Sequence, residues 1–311
     1  MNPTAARAAP AIDSRGRQLM RVATYASVFV AFVLIVAKTT AWVGTDSVAM
    51  LSSLVDSILD AVASLLNLFA VRHALVPADA EHRFGHGKAE PLAGLGQAAF
   101  IAGSAVFLLF EAATRLLHPQ AVVQSDFGIA VMLLSVALTL ALIIFQRLVI
   151  RRTGSMAIGA DALHYLSDLL TNVSVIVALL LSQRFGWNIA DPLFAGGIGL
   201  FILYGAWRIL QQAYDHLMDR EFPDNVRDRI RAIVMRHPQV RALHDLRTRS
   251  SGASSFIQMH LEMDADISLA EAHRISDEVE ATLLTSFPGA EVIIHQDPAG
   301  LEEARPRFAA S

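Results

Sequence analysis

Leu54-Val55-Asp56-Ser57-Ile58-Leu59-Asp60 places two carboxylates in the middle of a segment that otherwise reads as membrane-spanning. At i, i+4 spacing, Asp56 and Asp60 share one face of a helix, about one turn or 6 Å apart. A carboxylate at membrane depth costs several kcal/mol unless it faces a bundle interior, water, a metal or a counter-charge. A partner is therefore required. It stands about a hundred residues on, in Ala160-Asp161-Ala162-Leu163-His164-Tyr165-Leu166-Ser167-Asp168, where His164 and Asp168 repeat the spacing. Two such faces meeting make a site of four ligands.

The composition fits that setting. The chain has 311 residues, 54% of them hydrophobic and only 17% charged, and its mean hydropathy is +0.45. Such a chain is an integral membrane protein. With no cysteine, structural disulfides and thiolate sites are excluded, and a metal must be held by His nitrogen and carboxylate oxygen. This argues against a Cu(I) carrier. The polar, Arg-bearing N-terminal tail leads into a full-length span without a cleavage pattern, so no signal peptide is expected.

Spans are predicted at about Val22–Val43, Ser47–Ala74, Pro91–Leu117, Phe127–Val149, Met156–Leu181 and Pro192–Leu210. The first carries Lys38, which either snorkels or faces the bundle. The third and fourth hold almost nothing ionisable and read as scaffold. The sixth holds Ala195-Gly196-Gly197-Ile198-Gly199, small residues that let helices approach closely. Lys and Arg concentrate in the N-terminal tail and in the second and fourth loops, which puts both termini in the cytoplasm. Trp42 and Trp187 then lie near the outer interface. Because the second and fifth spans run in opposite directions, Asp60 is expected level with His164, and Asp56 with Asp168.

From about Asp219 the composition becomes that of a small soluble domain. Val226, Ile230, Ile233 and Val234 keep helical spacing up to Pro238. Strands follow at about Arg241–Arg249, ending in a Ser-Ser-Gly turn, and at Phe256–Met263, where apolar and polar residues alternate. Ser268-Leu269-Ala270-Glu271 is a capping box ahead of a second helix, and Glu291–His295 is the last strand. The order αββαβ suits a small open sheet with helices on one face. The organisation expected is a cytoplasmic tail over residues 1–20, a transmembrane domain of six helices over 21–215, an α+β cytoplasmic domain over 216–298 and a disordered tail over 299–311.

One His and three carboxylates suit tetrahedral Zn²⁺ at about 2.0 to 2.2 Å. The alternative is that each pair only forms hydrogen bonds between helices, and four ionisable groups at midplane depth are a costly way to pack. Asp79, His82 and His86 in the second loop, and His244, His260, His273, His295 and Asp297 in the soluble domain, are further groups of metal-ligating type. Taken singly, each of these is equally an ordinary polar residue.

The chain resembles the cation diffusion facilitator family and is similar to its bacterial zinc and iron(II) efflux proteins. The likeness is carried by Leu54–Asp60, by Phe84-Gly85-His86-Gly87-Lys88-Ala89-Glu90, by the run from Ala160 to Asp168, by His244-Asp245-Leu246-Arg247-Thr248-Arg249 and by Val292-Ile293-Ile294-His295-Gln296-Asp297-Pro298. The resemblance implies six transmembrane helices, a ferredoxin-like cytoplasmic domain, a homodimer in the inner membrane and exchange of a divalent metal for protons. Asp56, Asp60, His164 and Asp168 are implied as the transport site, and Asp79, His82 and His86 as a second site. It also implies a binuclear site at the dimer interface. There Asp297 bridges, His244 and His273 hold one ion, His260 and His295 hold the other, and Gln296 gives support. Lys88 and Asp219 are implied as a charge interlock.

Zn²⁺ is the expected substrate and regulator, with Fe²⁺, Cd²⁺, Co²⁺ and Ni²⁺ as alternatives. The partners expected are a second copy, metal ions, protons and the bilayer, not nucleic acid. Two rival readings are a membrane metal sensor without transport and an intramembrane metalloenzyme. The metalloenzyme should carry a His-Glu-x-x-His motif or a separate general base, and the sequence has neither, so no enzymatic activity is expected.

Overall fold

The structure is a computed structural model and describes residues 14–45, 48–117, 126–185, 187, 189–252 and 254–300. The expected tails fall largely outside these residues. Two compact units divide at Met218/Asp219.

The first unit is made of α1 (Ser14–Thr45), α2 (Val48–Ala74), α3 (Ala89–Leu117), α4 (Asp126–Thr153), α5 (Met156–Phe185) and α6 (Ala190–Leu217). Five of them, α1 to α4 and α6, are long and apolar enough to cross a membrane over their described residues. α5 packs against α2, α3, α4 and α6, while α1 packs against α2 and α4. The helices outrun the predicted spans. α1 begins at Ser14 and not near Val22, and α6 continues to Leu217 and not Leu210. Hydrogen bonding i to i−4 continues into water, whereas an apolar run stops at the interface.

Large apolar side chains point outward, Phe29, Phe32, Phe107 and Leu200 among them, as a lipid-facing surface requires. Polar side chains go inward. Ser27 Oγ on α1 donates to Asp161 Oδ2 on α5 at 2.6 Å, and Gln146 Nε2 on α4 donates to the same oxygen at 2.7 Å. Tyr165 shares a hydrogen bond of 2.9 Å with Ser64 on α2 and donates to the Ser27 carbonyl. These bonds fix the rotation of α5 about its axis.

The small-residue run of α6 contributes less than expected. A Cβ at Gly199 would stand 2.8 Å from Leu109 Cγ on α3, but at Gly196 and Gly197 it would meet nothing. The second close approach is at Gly205, outside that run, where a Cβ would come within 2.8 Å of Leu163 on α5. Leu163 is the neighbour of His164.

The second unit contains α7 (Asp224–Val234), β1 (Ala242–Ser251), β2 (Ser254–Met263), α8 (Leu269–Ser286) and β3 (Ala290–Pro298). The sheet order is β1-β2-β3, with β1 and β2 antiparallel and β2 and β3 parallel. Ile257, Met259, Leu261 and Met263 point to one face and bury against Ile230 and Val234 of α7 and Ile275, Val279 and Leu283 of α8. Period-two alternation leaves the intervening residues on the opposite face.

Ser268 caps α8, accepting from the Glu271 amide at 3.2 Å. The Glu271 carboxylate is taken by Gln239 and Arg274. The last strand runs past the predicted His295 to Pro298, which brings Asp297 into the sheet beside Glu262.

Candidate metal centres

Where α2 and α5 pack together, Asp60 Oδ1 lies 2.9 Å from His164 Nε2, which lies 3.9 Å from Asp168 Oδ2. One ligand atom from each of these three residues falls within 4.8 Å of the others. His164 is buried, and Asp168 Oδ2 is buried without a hydrogen-bond partner. The level match of Asp60 with His164 is as expected. Asp56 stands apart from the three, with an exposed side chain. Four residues advance a helix by about 400°, so Asp56 is about 40° round the axis as well as one turn along it.

Lys38 does not snorkel outward. Its Nζ donates to Ser57 Oγ at 2.7 Å and to the Ser53 carbonyl at 3.1 Å, both on α2. Asp161, one turn before His164, is fully buried against Ser27 and Gln146. Its i, i+3 spacing from His164 was the signal that would have given it a place in the site region.

In the loop between α2 and α3, Asp79 Oδ1 accepts from the His82 amide at 2.6 Å and the Glu81 amide at 2.9 Å. These bonds, that from His82 first, hold the Asp79 carboxyl below the usual carboxylate range. His82 Nδ1 and His86 Nε2 each lie 3.4 Å from an Asp79 oxygen. The segment is a series of turns, so the i, i+4 spacing of the two histidines is not that of a helix. Their rings nevertheless lie 4.5 Å apart. His86 Nδ1 is buried without a partner. His73, at the end of α2, adds a ring 4.6 Å from His86, which the loop sequence alone did not suggest.

On the sheet, strand register builds the third group. His244, His260 and His295 are cross-strand partners in one row, and Glu262 and Asp297 are partners in another. All lie on the face opposite the helices. Asp297 Oδ2 is 2.8 Å from His260 Nδ1 and 3.1 Å from His244 Nε2, while its Oδ1 is 3.2 Å from His295 Nε2. The carboxylate therefore spans three imidazoles.

Both ring nitrogens of His244 are buried and make no hydrogen bond, although Glu262 Oε1 lies 3.0 Å from Nδ1. Nitrogens close to carboxylates but out of hydrogen-bond alignment fit a divalent metal held by imidazole and carboxylate.

Two expected members are not brought in. His273 sits exposed on α8, 3.6 Å from Asp277, and the helices cover the other face. Gln296 donates to Ser276 Oγ on α8 at 3.0 Å, because alternation turns it away from His295 and Asp297.

Two carboxylates were missed. Glu262 follows His260 by two residues, so alternation could have found it. Asp245 approaches His260 Nε2 to 3.9 Å only because a register shift between His244 and Arg247 and a φ of 44° turn it there. That backbone is not legible in the sequence. Hydrogen bonds from Arg247 hold the Asp245 carboxyl below its ordinary range. Lys88 precedes α3, and Asp219 takes a φ of 53° with its carboxylate 3.5 Å from Arg249.

Comparison with known proteins gives two adjoining family matches, the cation efflux transmembrane domain over residues 24–218 and the cation efflux protein cytoplasmic domain over residues 222–299. The cation-efflux pump FieF of Klebsiella pneumoniae is 48% identical over 94% of this chain and 97% of its own. FieF of Pectobacterium atrosepticum is 50% identical over 90% of this chain and 93% of its own. Among solved structures, the metal-bound C-terminal domain of the CzcD transporter from Thermotoga maritima is 32% identical, covering 25% of this chain and 93% of its own, with a TM-score of 0.25.

Proposed function

The chain belongs to the cation efflux family, and from that premise we propose that it exports Zn²⁺ from the cytoplasm in exchange for protons. Fe²⁺ and Cd²⁺ are the alternative substrates. The observation that carries the reading is the meeting of Asp60, His164 and Asp168 inside the helical bundle, with ligand atoms within 4.8 Å. Asp56, one turn away, is the fourth ligand and completes the set by turning its side chain inward.

The chemistry follows from competition for the same lone pairs. Imidazole and carboxylate must be deprotonated to hold a metal, so metal binding on the cytoplasmic side releases protons. Protonation on the outer side displaces the metal. His164, the one imidazole of the set and in contact with Asp60, is the proposed main proton carrier. A site that opens alternately to the two faces then couples the two fluxes.

The orientation we adopt has both termini in the cytoplasm, within the inner membrane, as the placement of Lys and Arg favours. The functional unit is a homodimer, in which His273 of a second copy can approach the sheet face. The row His244, His260 and His295 with Asp297 then holds regulatory metal. In this reading the row fills when metal is abundant, and filling biases the transport cycle. Asp79, His82 and His86 form a more exposed loading site. Lys88 and Asp219 are the residues proposed for a charge interlock.

The test is reconstitution into proteoliposomes with an imposed proton gradient and a metal-sensitive dye. Asp56→Ala, Asp60→Ala, His164→Ala and Asp168→Ala should each abolish Zn²⁺ flux in a folded protein. Undiminished flux in any two of them overturns the site. Metal binding without flux in the unmodified chain favours a sensor over a carrier.

A further inference from the structure

Lys38 is the one cation that the described bundle places beside the three transport carboxylates, and neither the proposed ligand set nor the proton exchange makes use of it. Its ammonium has three donors. One goes to Ser57 Oγ and one to the Ser53 carbonyl. Ser57 lies between Asp56 and Asp60 on α2 and is itself buried. The ammonium is thus anchored on the stretch of α2 that carries Asp56 and Asp60. It touches none of them among the described contacts. A long side chain free to reach the interface would not hold its ammonium on a neighbouring spanning helix without a reason.

Charge counting supplies the reason. Asp56, Asp60 and Asp168 bring three negative charges and Lys38 one positive, so a dication at the site leaves this group neutral. Without Lys38 the empty site faces the incoming ion with three uncompensated negative charges in place of a net two, and so draws a dication in more strongly. Asp161 lies outside the count. It belongs to a separate cluster with Ser27 and Gln146, and it is common to loaded and empty states.

We infer that Lys38 is a tethered counter-charge that weakens metal binding at the transport site enough for the metal to be released. The inference rests on the transport-site reading above. At a separation of about 10 Å and an effective dielectric of about 20, repulsion between an ammonium and a dication changes binding on the order of a hundredfold. A site of three carboxylates and an imidazole without that repulsion holds its cargo too tightly to turn over.

The inference predicts a sign opposite to that of a merely structural lysine. Were Lys38 only a strap between α1 and α2, its loss would loosen the site and weaken binding. As a counter-charge, its loss tightens binding. The experiment is Zn²⁺ titration of the purified full chain in detergent, subtracting the isotherm of the matching His164→Ala variant to remove the other metal groups, together with Zn²⁺ flux in proteoliposomes. Lys38→Met should bind at least tenfold tighter and transport at least tenfold slower. Lys38→Gln, which keeps a donor for Ser57 but no charge, should behave the same way. Lys38→Arg should stay within threefold of the unmodified chain in both. Ser57→Ala, which cuts the strap and keeps the charge, should leave affinity within threefold.

Unchanged or weaker binding in a folded Lys38→Met or Lys38→Gln variant overturns the inference. If neither neutral variant folds, Ser57→Ala decides, and weakened binding there overturns it. Should His164→Ala leave the isotherm and the flux of the unmodified chain untouched, the transport site itself is misassigned and this inference falls with it.

Discussion

The bundle group Asp60, His164 and Asp168 and the sheet group His244, His260, His295 and Asp297 use the same residue types in opposite proportion. The bundle group has more carboxylate than imidazole, and the sheet group has more imidazole than carboxylate. Their supports differ too. In the bundle, distant helices meet and the neighbouring polar groups Ser27, Gln146, Asp161 and Tyr165 lock α5 in rotation. On the sheet, register alone sets the row, because cross-strand partners lie side by side whatever else the chain does. A dense negative group in a low-dielectric bundle has to be charge-balanced by its cargo. A row of imidazoles on one face of a sheet, whose strands are held by register and by the apolar face opposite, can be full or empty without harm to the fold. On the function proposed above, the proportion of ligands separates a site that exchanges its ion from one that reports how much ion is present.

The sharpest way to break that comparison is to neutralise one carboxylate in each region. Asp60→Asn is expected to lower Zn²⁺ flux in proteoliposomes at least a hundredfold, about 2.7 kcal/mol or more in the barrier. Asp297→Asn should leave the maximal flux within threefold and shift only its dependence on metal concentration. Equal losses would show that the two groups are not different in kind.

A calorimetric experiment sharpens the sheet side. Zn²⁺ at about a hundred times its dissociation constant should stabilise the C-terminal unit by about 2.7 kcal/mol, and Asp297→Asn should erase the shift in melting temperature. Gly205→Ala tests the bundle side. Its Cβ would press on Leu163 at 2.8 Å, and overpacking of this kind costs about 1–3 kcal/mol. Flux should fall while the metal response of the sheet stays intact, which a shared support would not allow.

The smallest effect concerns acid stability. The Glu271 carboxyl is pulled down to about 2 from 4.5, chiefly by its hydrogen bonds from Arg274. A depressed folded pKa means a contribution present above pH 4.5 and lost as pH falls from there towards 2. Glu271→Gln should therefore flatten the acid limb of the unfolding curve of the C-terminal unit in that window, with no change in flux at neutral pH.

Much of this arrangement can be read from the chain. The six helices follow from apolar runs, the sheet from alternation, and the Asp60 and His164 match from antiparallel spans of known rise. Asp79, His82 and His86 converge as expected, through turns and not through a helix. What escaped reading has particular causes. Asp245 depends on a register shift and a left-handed backbone. His73 comes from the end of a preceding helix. The family resemblance implies Gln296 beside the metal row, although its place between His295 and Asp297 on a strand turns it to the helix face. The small-residue run named Gly196 and Gly197, but contact made Gly199 and Gly205 the close approaches, since which face of α6 meets a neighbour is a property of the bundle.

The sequence by itself determined that two carboxylates lay at membrane depth, that one imidazole and a third carboxylate lay level with them, and that a row-forming strand pattern followed. Periodicity and hydropathy are local, and a single chain displays them in full. Only the tertiary structure decided that Asp56 stands a turn outside the trio, that Lys38 leans onto Ser57, and that His273 lies across the sheet from the histidines it was expected to join. Those outcomes depend on helix rotation and on which face packs inward. Both are set by contacts between residues far apart in the chain.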